Sequence, residues 1–357
     1  MDGSGISKDW MWPSRRRGNF DFRPLVSTCE FVARDAYCET EFFGLTPMAT
    51  YWWSCLMDDE GNFLAPMRKV NTELSGGVQL SSNVGVDNLL IAPEAFAASH
   101  RGAGVRWTLD DNHTAFRVAA ESTPYSQPFV LDISDDEFRW SEGDLLDLTG
   151  KPLGLGYQWY TPTIEERGGN FYASQPFQVT GHVRGRAVRG FVAMDTFYGP
   201  TGQFYKNGPI FNVLELAWVT FANFYSDGSH EFGALCLGKE HWKFGVIADE
   251  KGPILESTEL TAEVLLDADK YVEKARYAVA GTEWEFTAVE RGQMRSLAAA
   301  RGDAYHGQAG SVRRIGDTRT PEISVGWMET FPLNGLNTRY EGPRRSLRPS
   351  TSSIAPP

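Results

Sequence analysis

The chain has 357 residues, 41% hydrophobic and 13% aromatic, with 36 Gly and a formal net charge of −12. That length suits two domains of ordinary size, and the acidic balance favours solubility and argues against a nucleic-acid surface. No apolar run is long enough to span a bilayer, and the glycine and aromatic load suits many turn-linked strands better than a helix bundle.

The first twenty residues, MDGSGISKDWMWPSRRRGNF, carry Arg15–Arg17 with no apolar stretch behind them and do not read as a secretory signal. Cys29, Cys38, Cys55 and Cys236 lack C-x-x-C spacing and are few for a disulfide scaffold, so they read as reduced thiols. Together these features predict a cytoplasmic protein. Strand-like runs then recur with turn signals between them. TYWWSCLM passes through Asp58–Asn62 to FLAPMRKV, and VRWTL passes through Asp110–Asn112 to TAFRVAAE. The segment Thr161–Asn170, TPTIEERGGN, joins a proline, a charge run and Gly168-Gly169, which reads as a surface connector between two domains, with Glu165-Glu166-Arg167 an exposed loop.

Beyond it, FYASQPFQVTGHV runs into the turn Arg184-Gly185-Arg186, and a second strand returns and ends on Asp195. LAWVTFANFY turns through Ser226–Gly228 into HEFGALCLG, and WKFGVIA turns at Asp249–Gly252. The window Glu283–Arg301, rich in Ala, Glu, Met and Arg, predicts a helix weakened by Gly292. The tail from Glu341, rich in Pro, Ser and Arg, predicts disorder. Strands at this spacing without βαβ alternation predict an all-β fold of antiparallel barrels or sandwiches with a few short helices. The expected domains are 1–170 and 171–340, followed by a tail over 341–357.

Several chemistries are absent from the pattern. Gly233–Lys239 matches the front of a phosphate loop, but Glu240 stands where a Ser or Thr would reach magnesium. Gly154-Leu-Gly156 lacks the third glycine of a dinucleotide fingerprint. The six histidines form no HExxH or HxH pair, and no G-x-S-x-G elbow occurs. No metal and no cofactor is expected.

The central hairpin is similar to one in the hydroxyneurosporene synthase (carotenoid hydratase) and lipocalin-like hydrolase superfamily. In that superfamily a Tyr-x-Ser segment leads through V-x-G-x-x-x-x-G to a strand ending G-x-x-x-x-D. Here these stand as Tyr172-Ala173-Ser174, Val179-Thr180-Gly181, Gly185, and Gly190 through Asp195. TYWWSCLMDDEGN, LAWVTFANFYSDG and Gly326-Trp327-Met328-Glu329 resemble flanking strands of the same family, so the likeness spans roughly 40–335. The family often has His or Gln, then Trp-Gly, after its aspartate; this chain has Thr196-Phe197-Tyr198-Gly199, which leaves the reaction open. The resemblance implies two consecutive lipocalin-like β domains with a ligand cavity in or between them. It also implies activity on a hydrophobic small molecule, isoprenoid- or polyketide-like, by hydration, dehydration or cyclisation.

Alkene hydration needs a proton donor, aromatic faces for a developing cation and a positioned water. Asp195 is the candidate donor, with Glu329 a second candidate acid that shares a strand face with Trp327. Trp52, Trp53, Trp218 and Trp327 are candidate aromatic walls, and Tyr172 and Tyr198 candidate positioning hydroxyls. Core packing is the alternative for each aromatic, and surface exposure for the carboxylates, a choice that Glu215 shares with Glu329. Asp195 is expected at a barrel mouth with a raised pKa, unless an arginine such as Arg189 pairs with it. The alternative function is a non-catalytic lipocalin-like carrier of an apolar ligand. The sequence does not fix the oligomeric state.

Overall fold

The computed structural model describes residues 22–91, 101–124, 126–161, 169–200, 205, 208, 210–295 and 304–336. Among the described residues 63% are strand and 5% helix, an all-β fold. The strands form two antiparallel sheets, one of fifteen strands and one of nine.

The first sheet is organised on the hairpin Asn170–Val183 and Arg186–Gly199. Its turn is closed by Arg184 at φ 50° and Gly185 at φ 75°, with Val183 opposite Arg186. Two positive-φ residues make a two-residue turn whose twist matches that of the strands, which favours glycine at the second position. Arg186–Gly199 pairs on its other edge with Thr46–Asp58, which continues through its own hairpin to Phe63–Val70. Asn170–Val183 pairs along its outer edge with Leu146–Pro152 and Leu155–Thr161.

Gly181 and Gly190 hold this hairpin between its neighbours. A Cβ on Gly181 would lie 2.1 Å from the Asp147 carbonyl oxygen, and one on Gly190 2.1 Å from that of Cys55. Each glycine is thus required by the close approach of the next strand's backbone.

In the second sheet, Glu215–Phe224 lies between His230–Gly238 and Ile323–Thr330. Its edge strands, Gly252–Ser257 and Leu260–Leu266, are separated in the chain only by Thr258 and Glu259. The sheet therefore curls back on itself into a nearly closed barrel, beside the half-barrel of the first sheet. Short helices cover Ala33–Ala36, Ile210–Leu214 and Pro332–Asn334.

Each sheet has a core of its own on one face. Trp52, Trp140, Phe177 and Val192 belong to the first, and Phe221, Tyr277, Trp284 and Met328 to the second. The opposite faces meet in a shared cluster that includes Trp159, Tyr172, Phe191, Trp218, Phe232 and Phe244. Every residue of Glu215–Phe224 is buried because both its faces are covered. Inside the first core the Arg68 guanidinium is forked on the Glu142 carboxylate and neither side chain is exposed. Charges so placed must be paired.

Two expectations are corrected here. The domain division at 170/171 falls inside the first sheet: Asn170–Val183 and Arg186–Gly199 are its central strands, and the change of sheet comes between Gly199 and Glu215. Residues 162–168 of the expected connector, Glu165–Arg167 among them, lie outside the described residues. Thr161 pairs with Asn170, so the segment links two adjacent antiparallel strands of one sheet. Over 283–293 the helix expected for 283–301 is instead the strand Thr282–Gln293, with Trp284 and Phe286 alternating inward, and residues 296–301 lie outside the described residues. The tail from Glu341, expected to be disordered, falls outside the described residues. Among those described, no helix is long and apolar enough to cross a membrane.

Candidate active site

The shared face encloses a cavity of about 240 Å³. The first sheet lines it with Tyr51, Trp53, Tyr172, Asp195 and Phe197, the second with Glu215, Trp218, Thr220, Trp327 and Glu329. Tyr205, Phe211, Met294 and Tyr305 also line it.

Asp195 is brought to the cavity by strand alternation. Odd-numbered positions 191, 193, 195 and 197 face the second sheet, whereas Val192 and Met194 enter the first sheet's own core. The strand does not end at the acid, as expected, but continues to Gly199, so Asp195 sits in a ladder with Ser174 on one side and Tyr51 on the other. Two donors converge on its Oδ2: Trp53 Nε1 at 2.5 Å and Tyr172 Oη at 2.5 Å. Oδ1 has no hydrogen-bond partner; the Ser174 hydroxyl, near enough to favour the anion, does not reach bonding geometry. Burial pushes the Asp195 pKa from 3.8 up to about 7, and nearby Glu329 adds to the rise against the pull of Ser174, Tyr172 and Trp53. Among the described residues it makes no ion pair, and Arg189 is exposed.

The second sheet supplies two more acids. Glu215 is fully buried; Tyr205 Oη donates to its Oε2 at 3.0 Å while Oε1 has no partner. Burial, and then the Glu329 charge, raise its pKa well above the carboxylate range against the Tyr205 bond. Glu329 lies across the ladder from Trp218, and its Oε1 accepts from Tyr305 Oη at 2.7 Å. Trp327 Nε1 in turn donates to Tyr305 Oη at 3.2 Å. A Cβ on Gly307 would meet the Trp327 ring at 2.5 Å, so this glycine leaves room for the indole.

The aromatic wall is continuous. Tyr172 stacks on Trp159 with centroids 5.4 Å apart and planes 8° from parallel, and meets Trp218 edge-on at 5.5 Å. Tyr157, Trp218 and Thr220 share a hydroxyl bond network across the two sheets, with Tyr157 Oη and Trp218 Nε1 each 3.0 Å from Thr220 Oγ1.

Of the residues singled out from sequence, Asp195, Glu329, Trp53, Tyr172, Trp218 and Trp327 come together here. Trp52 does not: it alternates away from Trp53 into the first sheet's core against Phe177 and Phe138. Tyr198 alternates away from Phe197 and packs with Leu45 and Phe171 in a separate cluster, 5.3 Å from the Phe42 ring. Tyr205 and Tyr305 were not anticipated, and Glu215 only as an unplaced acid. The apolar stretch LELAW around Glu215 was the signal available for that acid, since a lone carboxylate in a buried strand needs a reason. Among the described residues no group of three or more His, Cys, Asp or Glu is placed to hold a metal ion.

No family model matches the chain, and no curated protein matches it. Among solved structures it is similar to a Nitrosomonas europaea protein provisionally assigned as AttH, at 17% identity and TM-score 0.43, over 79% of this chain and 90% of that one. It is also similar to kievitone hydratase from Nectria haematococca, at 10% identity and TM-score 0.41, over 90% of this chain and 100% of that one.

Proposed function

We propose that the chain is a cofactor-independent enzyme that protonates a hydrophobic small molecule in the cavity between its two sheets, giving hydration, dehydration or cyclisation. The observation that carries this reading is Asp195: a buried carboxyl with a pKa near 7, held by two cavity-lining donors in an aromatic enclosure. A group titrating near the working pH is at its most effective as a general acid and base. In hydration, the Asp195 carboxyl gives its proton to one alkene carbon and the C=C pair forms the new C–H bond. The faces of Trp53, Trp218 and Trp327 stabilise the cation left on the other carbon. Water adds there and returns a proton to the carboxylate, so alkene and water become alcohol with the acid restored.

A simple carrier needs an apolar cup and no ionisable group inside it, and three carboxylates at this cavity speak against that alternative. The test is to incubate wild type and Asp195→Asn with hydrophobic alkenes and polyenes and follow gain or loss of water, or isomerisation, by mass spectrometry and chromatography. Asp195→Asn is expected to slow turnover by roughly 10²- to 10⁴-fold while leaving the circular dichroism unchanged. Full activity in the folded variant rules the reading out.

A further inference from the structure

We propose that the cavity recognises a cationic group, an amine or quaternary ammonium on an otherwise apolar small molecule, seated among the rings of Tyr172, Trp218 and Trp327 with Glu215 as its counter-charge. The inference deepens the reading above by naming a substrate class. It depends on that reading only for placing the ligand in this cavity, not for any proton transfer by Asp195.

Three independent features point the same way. The first is the sign of the ionisable wall. Among the described lining residues the acids are Asp195, Glu215 and Glu329, and no Lys, Arg or His accompanies them. An anionic ligand finds no charge of opposite sign among the described lining residues.

The second is Glu215 itself. Its side chain lines the cavity and is fully buried, one oxygen is held by Tyr205, and the other has no hydrogen-bond partner. Hydrocarbon leaves that oxygen as it is, whereas an N–H donor or a fixed positive charge satisfies it. The third is the surrounding π surface, whose negative faces attract a desolvated cation more strongly than they attract a neutral group of equal size. The volume of about 240 Å³ lies just below the usual range for small-molecule pockets and limits the ligand to a compact molecule.

Linkage gives the proposal a signature that apolar binding lacks. Burial disfavours the Glu215 carboxylate and raises its pKa. A cation beside it favours the carboxylate, so binding must expel a proton into the buffer.

The experiment uses benzyltrimethylammonium and its uncharged isostere neopentylbenzene as probes, read by the fluorescence of the cavity tryptophans and by calorimetry at pH 7. Wild type is expected to bind the ammonium roughly ten- to thirty-fold more tightly than the isostere. The heat of ammonium binding should differ between phosphate and Tris by the difference of their ionisation enthalpies for about one proton. Glu215→Gln should lose the preference for charge, keep its affinity for neopentylbenzene and give buffer-independent heats. Equal or tighter binding of the isostere by wild type overturns the cation site while leaving the apolar-cavity reading intact. A preference that survives in Glu215→Gln, or wild-type heats that do not vary with buffer, overturns it as well. Binding of neither probe removes both the cation site and the cavity as a binding site for compact ligands. Should Glu215→Gln fail to fold, the wild-type isostere comparison and buffer dependence decide alone.

Discussion

At the scale of single residues, the site is a balance between burial and a few donors. Asp195 rises from 3.8 to about 7 because desolvation outweighs the bonds from Tyr172 and Trp53. The folded chain therefore holds a proton that the unfolded chain releases over that range. Stability from this group is fully present below the ordinary carboxylate pKa and is lost as pH rises through about 7. With about 1.4 kcal/mol per tenfold change in proton affinity, ionised Asp195 costs the fold on the order of 4 kcal/mol at pH 8. Asp195→Asn copies the protonated state, and its amide oxygen can still accept from both donors. Urea unfolding should show the variant more stable than wild type by a few kcal/mol at pH 8 and nearly equal to it at pH 4. A variant less stable at both values would mean that the carboxylate is structural. Catalysis runs with the same sign: where protonation limits the rate, turnover should fall as pH rises through about 7. Asp195 was legible because a lone acid closes an otherwise apolar run, Phe191–Met194. Tyr205 and Tyr305 were not, because a tyrosine's role as donor to a buried carboxylate depends on which strand lies opposite, and no local pattern encodes that.

At the scale of elements, the hairpins were legible wherever turn chemistry and period agreed. Asp58–Asn62 shows why: the Asp58 side chain accepts from the Glu60 and Asn62 amides at 3.0 and 2.8 Å, which are local bonds available to any chain with that five-residue turn. The failure over 283–301 has an equally local cause. Residues 283–287, EWEFT, alternate polar and apolar, and that period of two fits a strand better than the helix-forming composition of the same window fits a helix. The motif glycines carry a sharper expectation. A Cβ on Gly190 meets the Cys55 carbonyl oxygen, a backbone atom that cannot move without parting Arg186–Gly199 from Thr46–Asp58. Those two strands carry Asp195 and Trp53. Gly190→Ala is therefore expected to destabilise the fold by roughly 2–4 kcal/mol in urea unfolding and to weaken the Trp53–Asp195 bond. By contrast Gly185, with nothing within 4 Å of its Cβ position, should tolerate Asn at about the energy of a hairpin turn change, under about 1 kcal/mol. Comparable losses at both positions would show that close approach is not what Gly190 provides.

At the scale of the whole molecule, the sequence read correctly as two β units but divided at the wrong place, and the reason is non-local pairing. Thr161–Asn170 has the composition of a linker, yet linker chemistry and hairpin-loop chemistry are the same chemistry, and only the register on either side tells them apart. The consequence is that the chain folds around the hairpin spanning 170–199, which holds the two halves of the first sheet together and presents Asp195 to the second. A fragment of residues 1–170 retains Thr46–Asp58 and Leu146–Pro152 but removes the two strands that lie between them in the sheet. It is expected to show no cooperative urea transition and little near-ultraviolet dichroism. A fragment of residues 1–208 keeps every ladder of the first sheet but leaves Trp159, Tyr172 and Phe191 uncovered by their partners Trp218, Phe232 and Phe244. It should unfold cooperatively, bind an apolar dye and self-associate, and adding residues 209–357 in trans should suppress both behaviours. Cooperative folding by the 1–170 fragment would show the first unit to be complete without the hairpin. Asp195 would then be an attachment to a finished domain, and the cavity would lose the rigid ladder on which its chemistry depends.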